Sequence, residues 1–343
     1  MPTPFLIRAD APEAHEALAT YLRDRGWIDR DDAVVSAAAA GDGNMNCTLR
    51  VITRRTQLIV KQGRPWVEKY PDIPAPPDRT LVEAAFYAHV AATRDVAAHM
   101  PAFIGLDHDA RVLVLADCVG FRDATFVYDG DALGAAHVTA LLNYLAALHR
   151  GPVSDATAPP FANAAMRALN HTYIYAQPLA ADAAFHARLD SLTPGLAAIA
   201  ATLAADVPYA NAVTRLGHEY LDGPGRALLH GDFFPGSWLV HDADVVVIDP
   251  EFCFAGPPEF DYGVMAAHVL LAGHDDALAA RMATAAVARG HSRALVDGFA
   301  GVEVMRRLIG VAQLPRLTRT LDVKHALLER SRRLVLGDES LCA

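Results

Sequence analysis

Near residue 116 the apolar residues of this chain change period, and few architectures accommodate such a change. Ahead of it, AVVSA at 33–37, CTLRVIT at 47–53, QLIVKQ at 57–62 and RVLVLA at 111–116 are short, partly β-branched runs that read as strands. The first two are linked through Gly41-Asp42-Gly43-Asn44, which predicts a hairpin with a third antiparallel strand behind it. A short amphipathic helix over 11–24 precedes them, with Ala14, Leu18, Tyr21 and Leu22 at helical spacing. Residues 63–77, rich in Pro and Gly, predict a loop. Asp78 is then placed to cap a helix to about residue 94, with Leu81, Ala84, Ala85, Ala88 and His89 on one side. Beyond 116, helical spacing dominates over 132–150, 161–177, 181–204 and 208–221, and again from 260 onward in pieces at 275–289, 292–315 and 322–336. A small β region near 227–249 interrupts it, with LLHGD, SWLVH and DVVVID. The expectation is an α+β protein of two parts: a small antiparallel sheet unit over 1–116 and a mainly helical unit over 117–343.

Composition excludes several functions. An apolar fraction of 52% rules out a disordered chain. A net charge of −10 without a basic tract argues against a nucleic-acid partner, while a few local Arg and Lys residues remain able to hold an anionic substrate. Cys47, Cys118, Cys253 and Cys342 are scattered, with no CxxC pair, and read as free thiols. Arg8, Asp10 and Glu13 stand where a signal peptide needs an apolar run, and uncharged stretches such as 191–205 are broken by Thr, Pro and Gly. A cytoplasmic protein with no membrane partner is the expectation.

The chemistry concentrates in residues 228–263, LLHGDFFPGSWLVHDADVVVIDPEFCFAGPPEFDYG. Asp232 follows His230-Gly231 at the end of an apolar strand, held by a tight turn where a carboxylate accepts a proton from a hydroxyl. Ser237 adds an oxygen. Asp249 ends the strand VVVID, and Glu251, two residues on, projects to the same side of an extended segment. Two carboxylates at a strand end suit Mg²⁺. In the front part, the glycines of Gly41-Asp42-Gly43-Asn44-Met45-Asn46 allow backbone N–H groups to approach a phosphate. Lys61 ends the third strand and Glu83 lies on the next helix. Taken singly, each piece has a plain reading as a turn, an edge lysine or a solvated helix face. Their order matches the parts that orient nucleotide phosphates in a kinase.

That order, GDGNMN, LIVKQ, Glu83, HGD and DPE, resembles the protein-kinase-like aminoglycoside phosphotransferase superfamily and, within it, the methylthioribose kinases. The narrower resemblance is carried by GDGNMN, VKQGRPWV, HGDFFPGS with IDPEFCFAGPPEFDYG, and MRRLIGVA at 305–312. It implies a bilobal protein-kinase-like fold, with an antiparallel β-sheet N-lobe and a helical C-lobe. It implies ATP, with GTP not excluded, and Mg²⁺ as cofactors. Asp232 would orient or deprotonate the acceptor hydroxyl. Asp249 and Glu251 would hold Mg²⁺, with Ser237 assisting. Lys61 would contact the phosphates and pair with Glu83. The turn of Gly41, Asp42, Gly43, Asn44 and Asn46 would cover the phosphates, and the backbone at Asp117 and Cys118 would meet the adenine. Asp261 would support the catalytic turn. Arg306 and Arg307 would face the substrate, although neighbours on a helix point about 100° apart and cannot fully share one direction.

The partner implied is a small hydroxyl compound, most like 5-methylthioribose at its C1 hydroxyl; a homodimer is also open. The chain departs from that family in its shorter length, in Phe234-Pro235 where the family has His-Thr, and in LADC at the hinge. An antibiotic-inactivating phosphotransferase of the same fold and a non-catalytic nucleotide-binding protein are the alternatives.

Overall fold

Alternation along residues 47–62 puts Leu49, Val51, Leu58 and Val60 on one face of a ribbon, and in the computed structural model all four are buried. The structure describes residues 6–8, 12–41, 43, 45–151, 160–180 and 183–342. They fall into two units, one running to Phe121 and taking in Val246–Phe252, the other comprising Arg122–Val245 and the chain from Cys253. The division expected after residue 116 misses both the five residues to Phe121 and the returning segment.

The first unit begins with α1 (Pro12–Asp24), followed by β1 (Val34–Ala39), β2 (Cys47–Thr53) and β3 (Gln57–Gln62). The expected loop over 63–77 contains a small hairpin of β4 (Trp66–Val67) and β5 (Tyr70–Pro74). Then come α2 (Arg79–Val90), α3 (Arg94–Ala97), β6 (Phe103–Asp107) and β7 (Val112–Ala116). The main sheet has the order β1-β2-β3-β7-β6 and is antiparallel throughout. β6 was not expected: Gly105 interrupts its apolar pattern, and at the sheet edge it leaves Phe103 and Ile104 exposed.

The two faces of the sheet bury different partners. Leu18 and Leu22 of α1 pack with Val51, Val60, Val112 and Val114. Ala84 and Tyr87 of α2 pack with Leu113 and Leu115 on the other face. Each such side chain contributes roughly 1.5–3 kcal/mol by leaving water. The buried side of α2 is Arg79, Thr80, Glu83, Ala84, Phe86, Tyr87 and Val90, because the large aromatics decide it rather than the alanines; Ala88 is exposed. Asp78 makes no side-chain cap, since its carboxylate is held by Arg111 at 2.6 Å.

The second unit opens with β8 (Arg122–Asp123) and α4 (Ala135–Leu148), then α5 (Ala164–His171), which passes into a π-helical turn at Thr172–Ala176. The expected helix over 181–204 is two, α6 (Ala183–Leu192) and α7 (Leu196–Ala205); Gly195 at φ 89° breaks it, and Asp190 accepts from the N–H groups of Gly195 and Ala197. α8 (Val207–Asp222), β9 (Ala227–Leu229), β10 (Trp238–His241) and β11 (Asp244–Val247) follow, the last crossing into the first unit. β12 (Phe254–Gly256) pairs with β9. The chain closes with α9 (Glu259–Ala272), α10 (Asp276–Val287), α11 (Arg293–Ile309) and α12 (Leu321–Leu336). Every residue of α9 is buried, so its Glu259, Asp261 and His268 need partners inside the protein.

Among the described residues no single helix is long and apolar enough to cross a membrane; α7 and α8 pass only as a pair bent by 81°.

Candidate active site

Strand alternation decides where Lys61 goes. Val60 faces the α1 side of the sheet, so Lys61 faces the α2 side, opposite Leu113 across the β3–β7 pair. There the ammonium donates to Oε1 of Glu83 at 2.7 Å and to Oδ1 of Asp249. Burial opposes the charge on Lys61, but the carboxylates of Asp249 and Glu83 outweigh it and hold the ammonium protonated. Burial pushes the Glu83 carboxyl up, against Lys61. Asp249 is partly exposed and has a φ of 65°, a conformation that costs a residue with a Cβ on the order of 1 kcal/mol.

Glu251 lies deeper. Its Oε2 accepts from Asn46 Nδ2 at 2.8 Å and pairs with Arg79 Nε at 3.5 Å. Burial drives its carboxyl up to about 8, with Arg79 opposing. Arg79 is fully buried and donates to Asn46 Oδ1 and to the carbonyls of Met45, Arg64, Trp66 and Pro76. It ties the base of the glycine turn to the start of α2. The Asn46 side chain is therefore engaged inside the protein. Gly41 has a φ of 70°, and neither Gly41 nor Gly43 has a neighbour within 4 Å of an added Cβ; Asp42 and Asn44 lie outside the described residues.

At 117–118 the Asp117 carboxylate accepts from Arg50 Nε at 2.8 Å, and the Asp117 N–H donates to Gln57. The carbonyl of Cys118 accepts from Phe121 N–H, and burial pushes the Cys118 thiol up.

In the second unit the turn before Asp232 is held from below. Gly231 takes a φ of 84°, and buried Asp261 accepts from the N–H groups of His230 and Gly231 at 2.8 and 3.0 Å. His149 Nε2 lies 3.0 Å from the same carboxylate. Arg306 and Arg307 converge here: each donates an Nη2 N–H to Oδ1 of Asp232, at 3.0 and 3.2 Å. Both are buried. The expected divergence of neighbouring helix positions is overcome by side-chain length and by Glu303, at i−3 and i−4, which accepts from the Nε of both. Burial works against the charge of Glu303, but the two guanidiniums outweigh it and hold the carboxyl well below its usual range.

Behind Glu303 lies buried His268, its Nε2 at 2.9 Å from Oε1, and Tyr128, its hydroxyl at 2.6 Å from His268 Nδ1. The Phe234 ring lies 4.7 Å from the Arg307 guanidinium and 5.2 Å from the His268 ring. Phe233 stacks on Tyr144 and packs against Trp238, a core role for both. Glu303 was open to sequence reading, since it sits one helical turn before an arginine pair. Arg79, His268 and Tyr128 carry no local signal.

The expected metal set is only partly met. Ser237 is buried and donates its Oγ–H to the Asp232 carbonyl at 3.0 Å, which braces the turn. Glu251 is turned to Asn46 and Arg79 and favours its protonated form near neutral pH. Asp249 alone has the exposure and charge of a Mg²⁺ ligand, and Mg²⁺ takes one or two carboxylates beside phosphate and water oxygens. Among the described residues no group of three or more His, Cys, Asp or Glu side chains is placed to hold a metal ion.

Residues 37–295 match the model described as the phosphotransferase enzyme family. A methylthioribose kinase of Klebsiella pneumoniae subsp. pneumoniae is 29% identical over 277 residues, covering 75% of this chain and 65% of that protein. The chain thus spans just under two thirds of the first curated relatives it matches. A methylthioribose kinase of Exiguobacterium sibiricum is 26% identical over 350 residues, covering 88% of this chain and 87% of that protein. Among solved structures, the AMP-bound spectinomycin phosphotransferase has a TM-score of 0.54 at 10% identity, covering 94% of this chain and 98% of that one. Choline kinase LicA from Streptococcus pneumoniae has a TM-score of 0.51 at 12% identity, covering 95% of this chain and 99% of that one. These likenesses show the protein-kinase-like fold that the motif order implies.

Proposed function

Because this chain belongs to the phosphotransferase enzyme family, we propose that it transfers the γ-phosphoryl group of ATP to a hydroxyl of a small sugar-like compound, with the C1 hydroxyl of 5-methylthioribose as the favoured acceptor. The observation that carries this reading is Lys61 held between Glu83 and Asp249. A buried ammonium with two carboxylates has little structural reason to persist. As a pre-aimed phosphate contact beside one partly exposed carboxylate, it has a chemical one.

In this reading each residue has a role. Lys61 neutralises phosphate oxygens, and Glu83 fixes its direction. Asp249 would hold Mg²⁺, which would supply positive charge against the negative charge that develops during transfer. The glycines at 41 and 43 let the backbone approach the phosphates, and the segment 117–118 meets the base. Asp232 accepts the hydrogen bond of the acceptor hydroxyl and directs its oxygen in line. Two guanidiniums beside Asp232 favour a neutral polyol over a cationic aminoglycoside, which would meet like charge there. The relatives named methylthioribose kinases support the choice of acceptor.

The test is phosphoryl transfer from γ-labelled ATP with Mg²⁺ to a panel of methylthioribose, other pentoses, nucleosides and aminoglycosides. Transfer to a reducing pentose, abolished in Asp232→Asn, is the expected result. Transfer to aminoglycosides alone replaces the acceptor assignment, and transfer to none overturns the enzyme reading.

A further inference from the structure

The interior behind Asp232 contains a polar chain that phosphoryl transfer itself does not require. It runs through Tyr128, His268 and Glu303 to the arginine pair, all five side chains buried. The direction of each hydrogen bond is fixed by chemistry. Glu303 is ionised and only accepts, so His268 Nε2 carries the hydrogen of the 2.9 Å contact. Burial lowers the His268 imidazole to about 4, so at neutral pH its other nitrogen, Nδ1, has no hydrogen and accepts from the Tyr128 hydroxyl. Glu303 then receives three donors, and each arginine has its Nε bound there and an Nη2 on Asp232.

Both arginines use the same Asp232 oxygen. With Oδ1 taken twice, the carboxylate is fixed in rotation and Oδ2 takes no part in either bond. The Phe234 ring lies against both Arg307 and His268, keeping water from the chain and strengthening each bond in it.

We propose that Tyr128, His268 and Glu303 form a positioning relay that locks Arg306 and Arg307 onto one oxygen of Asp232 and presents the other to the acceptor hydroxyl. None of the three touches the reacting atoms in this account, and the proposal rests on the phosphotransferase reading above. A relay of this kind affects kcat and the acceptor KM, not the binding of ATP.

The experiment pairs kinetics with histidine NMR. Tyr128→Phe removes one hydroxyl and keeps the ring; it is expected to lower kcat about five- to tenfold with the KM for ATP unchanged. His268→Leu is expected to lose about a hundredfold, and His268→Gln, which restores a donor toward Glu303, to recover most of that. Tyr209→Phe breaks a buried hydroxyl contact with Ser331 at 2.9 Å elsewhere in the same unit and serves as the control, with kcat unchanged. In wild-type protein labelled with ¹⁵N-histidine, the resonance absent from His268→Gln is expected to be the Nε2–H tautomer. Wild-type kcat in Tyr128→Phe and His268→Leu, or an Nδ1–H tautomer at His268, overturns the relay. If wild-type protein phosphorylates no acceptor, the functional reading fails, and the tautomer still decides the bond directions on which the relay stands.

Discussion

The Lys61 ammonium lies 2.7 Å from the Glu83 carboxylate with both side chains withdrawn from water. Two elements with unrelated periods produce this contact: the alternation of β3 turns Lys61 to the α2 side, and the buried stripe of α2 presents Glu83. Lys61→Met is expected to lower turnover at least about a hundredfold, because charge stabilisation in phosphoryl transfer is lost. Breaking a buried pair also leaves its partner uncompensated, at about 3–5 kcal/mol unless that partner takes up a proton. Initial rates and urea unfolding of the same variant measure the two effects separately.

Asp232→Asn keeps the shape of the side chain and removes the charge that the arginines face. Turnover is expected to vanish while ATP still binds with wild-type affinity in calorimetry. Full activity in this variant would remove Asp232 from the chemistry.

Arg79 makes hydrogen bonds to one side chain and four backbone carbonyls without exposure to water. Arg79→Lys conserves the charge and loses the planar fork, so several acceptors are orphaned. A loss of about 2–4 kcal/mol in unfolding free energy is expected, with a rise in the KM for ATP as the glycine turn loses its anchor. Unchanged unfolding would show that the network is incidental.

Stability should depend on pH through two buried groups of opposite sign. His268 is depressed from 6.5 to about 4, so the unfolded chain binds the extra proton and stability falls as pH drops from about 6.5 to about 4. Glu251 is raised from 4.5 to about 8, so the folded protein holds the extra proton and stability falls as pH rises through that interval. Denaturant titrations from pH 4 to 8 without nucleotide should show the acid loss shrink in His268→Gln and the alkaline loss shrink in Glu251→Gln. Parallel curves for wild type and both variants would refute these ionisation states.

Sequence reading reached what short-range patterns encode. The bounds of β2 and β3 agree with it, and Lys61 and Glu83 lie on β3 and α2 as expected, whereas Asp249 lies beyond the end of β11. It failed where distant side chains compete. Glu251 read as a Mg²⁺ ligand because its spacing from Asp249 suits one, but its carboxyl is held by Asn46 and by a buried arginine from α2. Ser237 read as an assisting oxygen, whereas its hydroxyl is turned onto the carbonyl of Asp232. The arginine pair was visible, but its convergence was not, because Glu303, His268 and Tyr128 are joined by packing of α11, α9 and the turn at Ala124–Asp129, which no local period records.

The return of Val246–Phe252 to the first unit means that this unit is not a contiguous module of the chain. A fragment ending at Phe121 would carry Lys61 and Arg79 without Asp249 and Glu251, the partners supplied from the far segment. Shuffling such units between homologous proteins by a single crossover should therefore yield insoluble or inert chimeras. Recombinants that inherit both stretches from one parent should survive.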